Sequence, residues 1–590
     1  MLTPTLPPQS PARAALTPGS TVLLGGIVLL GVLARFWNLN WDGGAYSFHS
    51  DEWALNEVVR RLGPDGNPHF FFYGTLPIYL YWVTAQILGG LTGLDWLDPE
   101  RLALIGRAWS ALASTAMLPL VFAVGQRLWG TGAGLVAAAC TAGAALLIQA
   151  AHFGTVDTAV TLAGVALLWA ALHIAAGGGR RWYIVAGAVL GLALATKLTA
   201  GSFVVLPLLA HLLRGPGGPG RQRLLLLVGT AAGVTLLAAP YYVLAWPEFW
   251  AAIVAQNAEL SGGYQLSYTW QFIGTTPYVF ELQNLVLWGL GLPLGLAALV
   301  GWGGALADCA RRLIAWGQTR CGIGHVLPGA YRPGWFASPA AALLLTAWPT
   351  LYLLYIGTWQ ARFVRHTLPL VPFCCLFAAG AVVVAGRMLA RHGGVGRLLG
   401  GALGSVVVVG ALGWGLAQLA VYLAPDTRLA ATAWMHDHLA PGTHLVVEDK
   451  NQLIPVPHPM SLLDAYQISV LQVTDPDSPA KRDAFAATLA AGDVLVVPNR
   501  RWAAVLPRLP DFPRTGRYYR LLAAGELGYT PLATFASPPR LGLWTWPDDS
   551  AEETFQVFDH PTVRLYQNSG HLPEATLRRL LDGETSALSP

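Results

Sequence analysis

The sequence predicts a polytopic α-helical membrane protein that ends in a small extramembrane α/β domain. Three observations carry this. Hydrophobic residues make up 54% of the chain and charged residues 12%, against the ~25% charged share of an ordinary soluble domain. Before residue 425, apolar runs long enough to cross a ~30 Å hydrocarbon core recur. After it, short strand and helix patterns replace them. Mean hydropathy is +0.47. The net charge of +4 comes with no basic cluster interleaved with aromatics, so nucleic acid is excluded as a partner.

The first 20 residues, "MLTPTLPPQSPARAALTPGS", read as a disordered leader. The apolar run behind them ends at "RFW" with no small-residue cleavage site, which reads as an anchor helix rather than a signal peptide. Eleven spans follow the hydropathy: about 21–38, 101–126, 131–151, 157–176, 182–197, 199–214, 224–245, 284–307, 338–357, 367–386 and 398–422. Arginine-rich loops ("GQRLWG", "GGGRRW", "LRGPGGPGRQR", Arg311 to Arg332, "GRMLARHGGVGR") fall on alternate ends of these spans and belong on the cytoplasmic side. The N-terminus is then inside and the C-terminus outside. The segment 75–92 is apolar enough to cross, but crossing would turn every later arginine loop outward. It reads as an interfacial helix in the first outer loop.

Residues 426–590 form the outer domain, with a helix and a strand in "RLAATAWMHDHLAPGTHLVVEDK" and further strands in "AGDVLVVPN" and "PTVRLYQN". The five cysteines all precede residue 425, so this domain can form no disulfide.

On this topology the polar residues gather at outer loops. In "HSDEWALNEVVRRLG" an amphipathic helix places Ala54, Leu55, Val58, Val59 and Leu62 on one face. Glu52, Asn56, Glu57, Arg60 and Arg61 take the other, and Ser50 is positioned to cap the start. Asp51 sits in the first turn. Asp157 opens a span in "TVDTAV". Either carboxylate could simply favour a helix N-terminus. Two on one side make an anionic corner able to take a proton or hold a divalent cation.

Lys197, in the turn "ATKLTAG", is one of three lysines and the only one before residue 450. A lysine at a broken span reads as a phosphate ligand or a snorkelling side chain. Arg362 and Arg365 put cations in an outer loop, for lipid phosphates or an anionic lipid-linked substrate. His49, His152, His366 and Tyr264 are candidate substrate contacts, with a structural role the alternative for each. Tyr264, with Tyr268 and Trp270, could stack on a sugar or sit in an interfacial aromatic belt.

Taken in order, these residues resemble the GT-C superfamily of lipid-phosphosugar-dependent glycosyltransferases, nearest to bacterial aminoarabinose transferases and protein O-mannosyltransferases. "FHSDE" is similar to that family's H-x-D-E element, and "GTLPIYLYW" to its K-P-P-L-x-Y-W-like helix, with Gly-Thr where a lysine is common. "RLALIGRAWSALASTAMLPLVFAVGQRLWG", "HFGTVDTAVTL", "ATKLTA" and "RHTLPLVP", the last with His366 in place of a tyrosine, resemble further family elements over residues 20–425. "ETFQVFDHPTVRLYQN" resembles the tail of larger bacterial members. No W-W-D-x-G-like stretch appears, which argues against an oligosaccharyltransferase.

The resemblance implies a multi-pass protein of the bacterial cytoplasmic membrane. It would transfer a sugar, with inversion, from an undecaprenyl-phosphate-type donor to an extracytoplasmic acceptor, whether glycan, lipid or protein. Asp51 would be the general base or acceptor-positioning carboxylate, with Asp157 in support. Lys197, Arg365 and Arg362 would bind the donor phosphate. Glu52 and Asp157 would be the ligands of a divalent metal ion, whose requirement is left open by the missing lysine near Thr75. The alternative is a transporter or flippase for lipid-linked sugars, whose ionisable residues line a path.

Overall fold

The computed structural model describes residues 16–45, 48–214, 220–263, 265–320, 335–336, 338–448, 454–456 and 463–583. Most of the leader, Tyr264, Cys321 and Lys450 lie outside the described residues. Eight described helices are long and apolar enough to cross a membrane, or nine if the pair Thr131–Gly143 and Ala145–Ala151, bent by 55°, is one span. This is a multi-pass membrane protein. The two segments around Lys197 account for the difference from eleven. Arg180–Thr196 has 17 residues, and the next stretch is a 3-10 helix, Leu198–Val204, running into the helix Val205–Leu212. Thr75–Thr92 is one helix and is not among the nine.

The stretch Val364–Ala390 has 78% of its apolar window buried, against 17% for Pro18–Phe36. The first is therefore central and the second peripheral. Helices Pro99–Trp129 and Asp157–Ala175 share that centre, contributing Met117, Val121, Val165 and Leu168 to one core with Phe373 and Phe377.

The helix predicted within 49–63 is Ser50–Arg60, but two details differ. His49 rather than Ser50 is its cap, the ring Nδ1 accepting the Glu52 N–H at 3.4 Å. Glu52 and Asn56, assigned to the polar face, are buried with Leu55 and Val59. The helix is packed under other elements on its Glu52–Asn56 side, and of the charged stripe visible in sequence Arg60 and Arg61 remain exposed.

The C-terminal sheet runs β2-β1-β3-β7-β4, with β1 (His444–Val447), β2 (Gln467–Val470), β3 (Val494–Val497), β4 (Tyr529–Phe535) and β7 (Val563–Asn568). β1 pairs in parallel with β2 and β3, and β7 lies antiparallel between β3 and β4. The continuous apolar runs "LVV" and "VLVV" follow from burial on both faces. Leu445, Val447, Val494 and Val496 pack on Ala431 and Met435 of the helix Thr427–His438. Val446, Leu495 and Val497 face Phe485, Tyr518 and Leu577 on the other side. A separate two-stranded hairpin, β5 (Arg540–Leu541) and β6 (Trp544–Thr545), precedes β7.

The segment 548–560 ties this domain to the membrane region. Phe555 is buried in the membrane region's own core, and its carbonyl accepts from Gln149 Nε2 at 2.8 Å. Asp559 accepts from Gln149 at 3.0 Å and from the Tyr422 hydroxyl at 2.6 Å. His560 lies between Asp559 (2.5 Å) and Asp548 (2.6 Å). Burial opposes its charge, but Asp559 and Asp548 more than offset that and raise its pKa to about 10. A folded value above the unfolded one adds stability in full below about pH 6.5 and loses it as pH climbs towards 10. His560→Gln leaves two buried carboxylates uncompensated and should cost about 3–5 kcal/mol at neutral pH. Thermal denaturation across that pH window should show a falling midpoint in the wild type and a shallower fall in the variant.

Candidate active site

A cavity of about 650 Å³ opens between the membrane helices and the C-terminal domain, within the ~300–1,000 Å³ range of small-molecule sites. Two carboxylate–cation pairs of the membrane region line it. Asp51, in the first turn of Ser50–Arg60, pairs with Arg365 of the 3-10 helix Val364–Leu370. Asp157, the first residue of its helix, accepts from Lys197 Nζ at 2.8 Å. Lys197 ends the helix Arg180–Thr196 in an extended conformation, and its ammonium lies 5.6 Å from the Tyr73 ring centroid. The broken span thus turns one cation to the cavity, against Asp157.

Gly74 explains the Gly-Thr at the position where a lysine was expected. Its N–H donates to the Thr196 carbonyl at 2.8 Å, and a Cβ there would stand 1.9 Å from the Ala195 oxygen. The close approach fixes Thr75 and Tyr73 against the Lys197 turn, and no side chain fits between them.

His366 also lines the cavity, its ring edge-on to Trp359 with centroids 5.0 Å apart. Other residues assigned from sequence lie elsewhere. Arg362 does not line the cavity; its Nε is 3.2 Å from Glu281 Oε1 and its Nη1 donates to Thr275 at 2.9 Å. His49 lies behind the cavity, ring against Phe153 and Phe558 (4.5 and 4.2 Å), beside a pocket of about 30 Å³. His152 is buried and stacked 3.7 Å from Tyr422, its nitrogens facing the carbonyls of Ile148 and Trp37. Tyr264 is outside the described residues.

Glu52 is sealed beneath Asp51. Its Oε1 accepts from Arg107 Nε at 2.7 Å and from the Gly154 N–H at 3.1 Å, and its Oε2 accepts from Arg107 Nη2 at 2.9 Å. Arg107 also holds Asp42 through bonds of 2.9 and 2.6 Å. The metal set assigned from sequence therefore does not assemble: Glu52 is held by Arg107, and Asp157 by Lys197. Among the described residues, no group of three or more His, Cys, Asp or Glu is arranged to hold a metal ion.

Two further residues belong to the cavity and were not singled out from sequence. Arg501 and Glu553, both from the C-terminal domain, line its wall and pair at 2.8 Å. Burial pushes the Glu553 carboxyl up to about 7, against the pull of Arg501. Glu553 lies in "ETFQVFDHP", and only the packing of that segment into the membrane region reveals its place. Arg107 had a visible signal, an arginine in the middle of an apolar span.

Residues 103–246, which carry Arg107, Asp157 and Lys197, match the family model described as dolichyl-phosphate-mannose-protein mannosyltransferase. Over these residues, about a quarter of the chain, the membrane region resembles the GT-C superfamily. Solved structures resembling this chain include ArnT from Cupriavidus metallidurans bound to undecaprenyl phosphate, at 15% identity and TM-score 0.41, covering 93% of this chain and 98% of that one. The archaeal oligosaccharyltransferase AglB from Archaeoglobus fulgidus aligns at 12% identity and TM-score 0.45, over 90% of this chain and 75% of that one. The arabinofuranosyltransferase AftD from mycobacteria aligns at 14% identity and TM-score 0.37, over 94% and 42%. These overlays are too loose to transfer any residue's role to this chain. No curated protein matches it.

Proposed function

We propose that the protein is an inverting glycosyltransferase that moves a sugar from an undecaprenyl-phosphate-type donor to an acceptor on the extracytoplasmic side of the bacterial cytoplasmic membrane. The observation that carries this reading is the meeting of Asp51–Arg365 and Asp157–Lys197 on one cavity beside membrane helices.

The reaction asks for a base at the acceptor and cations at the leaving phosphate. Asp51, its charge supported by Arg365, accepts the proton of the acceptor hydroxyl. The freed oxygen attacks C1 of the sugar from the face opposite the phosphate. The C1–O bond breaks, and polyprenyl phosphate leaves with the electron pair. One displacement inverts the anomeric centre. Lys197 and Arg365 neutralise the departing phosphate, and Asp157 orients Lys197. The wall built by Arg501, Glu553 and Thr554 faces the acceptor.

The test is transfer or release by the purified chain from a panel of polyprenyl-phosphate sugars. Lys197→Ala should raise the donor KM by about 10- to 100-fold, the loss of one charge-assisted contact. A wild-type chain that turns over no donor in the panel overturns the transferase reading.

A further inference from the structure

The hairpin β5–β6 is amphipathic. Leu541 pairs with Trp544 and Arg540 with Thr545, so side-chain alternation puts the two apolar residues on one face and the polar pair on the other. Leu543 at the tip is 101% exposed and Trp544 71%, although both belong to a domain with its own buried cores.

The hairpin lies against the membrane helix Gly393–Leu419. Leu541 packs over Gly413, where an added Cβ would stand 3.7 Å from its Cδ2. Trp546 meets Trp414 edge-on with centroids 5.8 Å apart, and Trp414 donates to the Trp288 carbonyl at 2.8 Å. At 1.5 Å per residue this 27-residue helix is ~40 Å long, about 10 Å more than the hydrocarbon core it crosses. Trp414, five residues from the helix end, is then ~8 Å below it, near the boundary between headgroups and acyl chains. Trp288 also meets Trp414, with centroids 6.1 Å apart, and tryptophan is the residue type enriched in the aromatic belt of a membrane interface. The neighbouring surface of the same helix exposes Val406 and Val409, as a lipid-facing side does.

We propose that the β5–β6 hairpin is a membrane anchor of the C-terminal domain, with Leu543 and Trp544 inserted at the interface of a phospholipid bilayer and Arg540 at the phosphate level. The hairpin continues directly into the segment 548–560, which carries Glu553 and Thr554 to the cavity wall. Lipid contact there adds to the Phe555 and Asp559 contacts that hold that wall over the membrane helices. The inference is independent of the transferase reading.

The test uses the full chain in phosphatidylcholine–phosphatidylglycerol vesicles, with Cys321→Ser to remove the cysteine outside the described residues. Leu543→Cys carries an environment-sensitive fluorophore, and Glu526→Cys, exposed on the same domain, serves as the reference. Leu543 packs against nothing, so its replacement leaves the fold unchanged. The label at 543 should be blue-shifted relative to 526, quenched by lipids spin-labelled near the headgroup, and shielded from aqueous iodide. Water-like emission with iodide quenching at 543 overturns the anchor. So does a blue shift that spin-labelled lipid leaves untouched but that fades as the protein is diluted, which would mean contact between copies of the chain.

Discussion

Asp51→Asn should fold normally and lower the rate of sugar transfer by about 10²–10⁴-fold, the usual worth of a positioned base. The substitution keeps the shape of the side chain and removes the charge that accepts a proton. It also frees Arg365, which faces the cavity with Asp51 as its charged partner. An unpaired guanidinium binds a phosphate at least as well as a paired one, so the donor KM should stay level or fall while kcat collapses. That split separates a base from a residue that merely shapes the pocket, whose loss would weaken donor binding. Steady-state kinetics with a polyprenyl-phosphate sugar decides it. Full kcat in Asp51→Asn would remove the carboxylate from the reaction and leave Asp157 or Glu553 as the bases to consider.

Much of this site was legible in the sequence because its residues sit at helix ends and span breaks. Asp51, Asp157, Lys197, Arg365 and His366 were each named, and all five line one cavity. Their neighbours were not separable by spacing. Glu52 follows Asp51 by one position, about 100° around a helix. That rotation takes it from the cavity to the interior, where Arg107 closes on it. Arg362 lies three residues before Arg365 and turns to Glu281 instead. Sequence reports that a polar residue is near the membrane, but the face it turns to depends on partners far along the chain.

The sheet divides in the same way. β1 and β3 announced themselves as apolar runs and β7 by alternation, whereas β2, half exposed, and the two-residue β5 and β6 carry too few residues for a periodic signal. Glu553 was out of reach for a third reason. Its position is set by the packing of Phe555 among membrane helices and by the Asp559 bonds to Gln149 and Tyr422. These are contacts across hundreds of residues.

Arg107→Met should be the most destabilising single change in the membrane region, by about 3–5 kcal/mol or enough to prevent accumulation of folded protein. Arg107 is 1% exposed and donates to Asp42, Glu52 and the Leu39 carbonyl in five bonds of 2.6–2.9 Å. Removing it leaves two carboxylates, 1% and 0% exposed, with no cation between them. Arg107→Lys should rescue little, because one ammonium cannot satisfy two carboxylates and a carbonyl that a planar fork reaches from three nitrogens. The informative variant removes the charges together. Arg107→Met with Asp42→Asn and Glu52→Gln should recover most of the denaturation midpoint lost by Arg107→Met alone, since the large penalty belongs to the unpaired charges rather than to the missing pair. Whatever folded protein remains in Arg107→Met should keep its donor KM, because Arg107 does not line the cavity. Stability lost with donor binding retained would make the buried Asp42–Arg107–Glu52 cluster the foundation under the Asp51 helix. A matching loss of donor affinity in the triple variant would instead place Arg107 in the phosphate site itself.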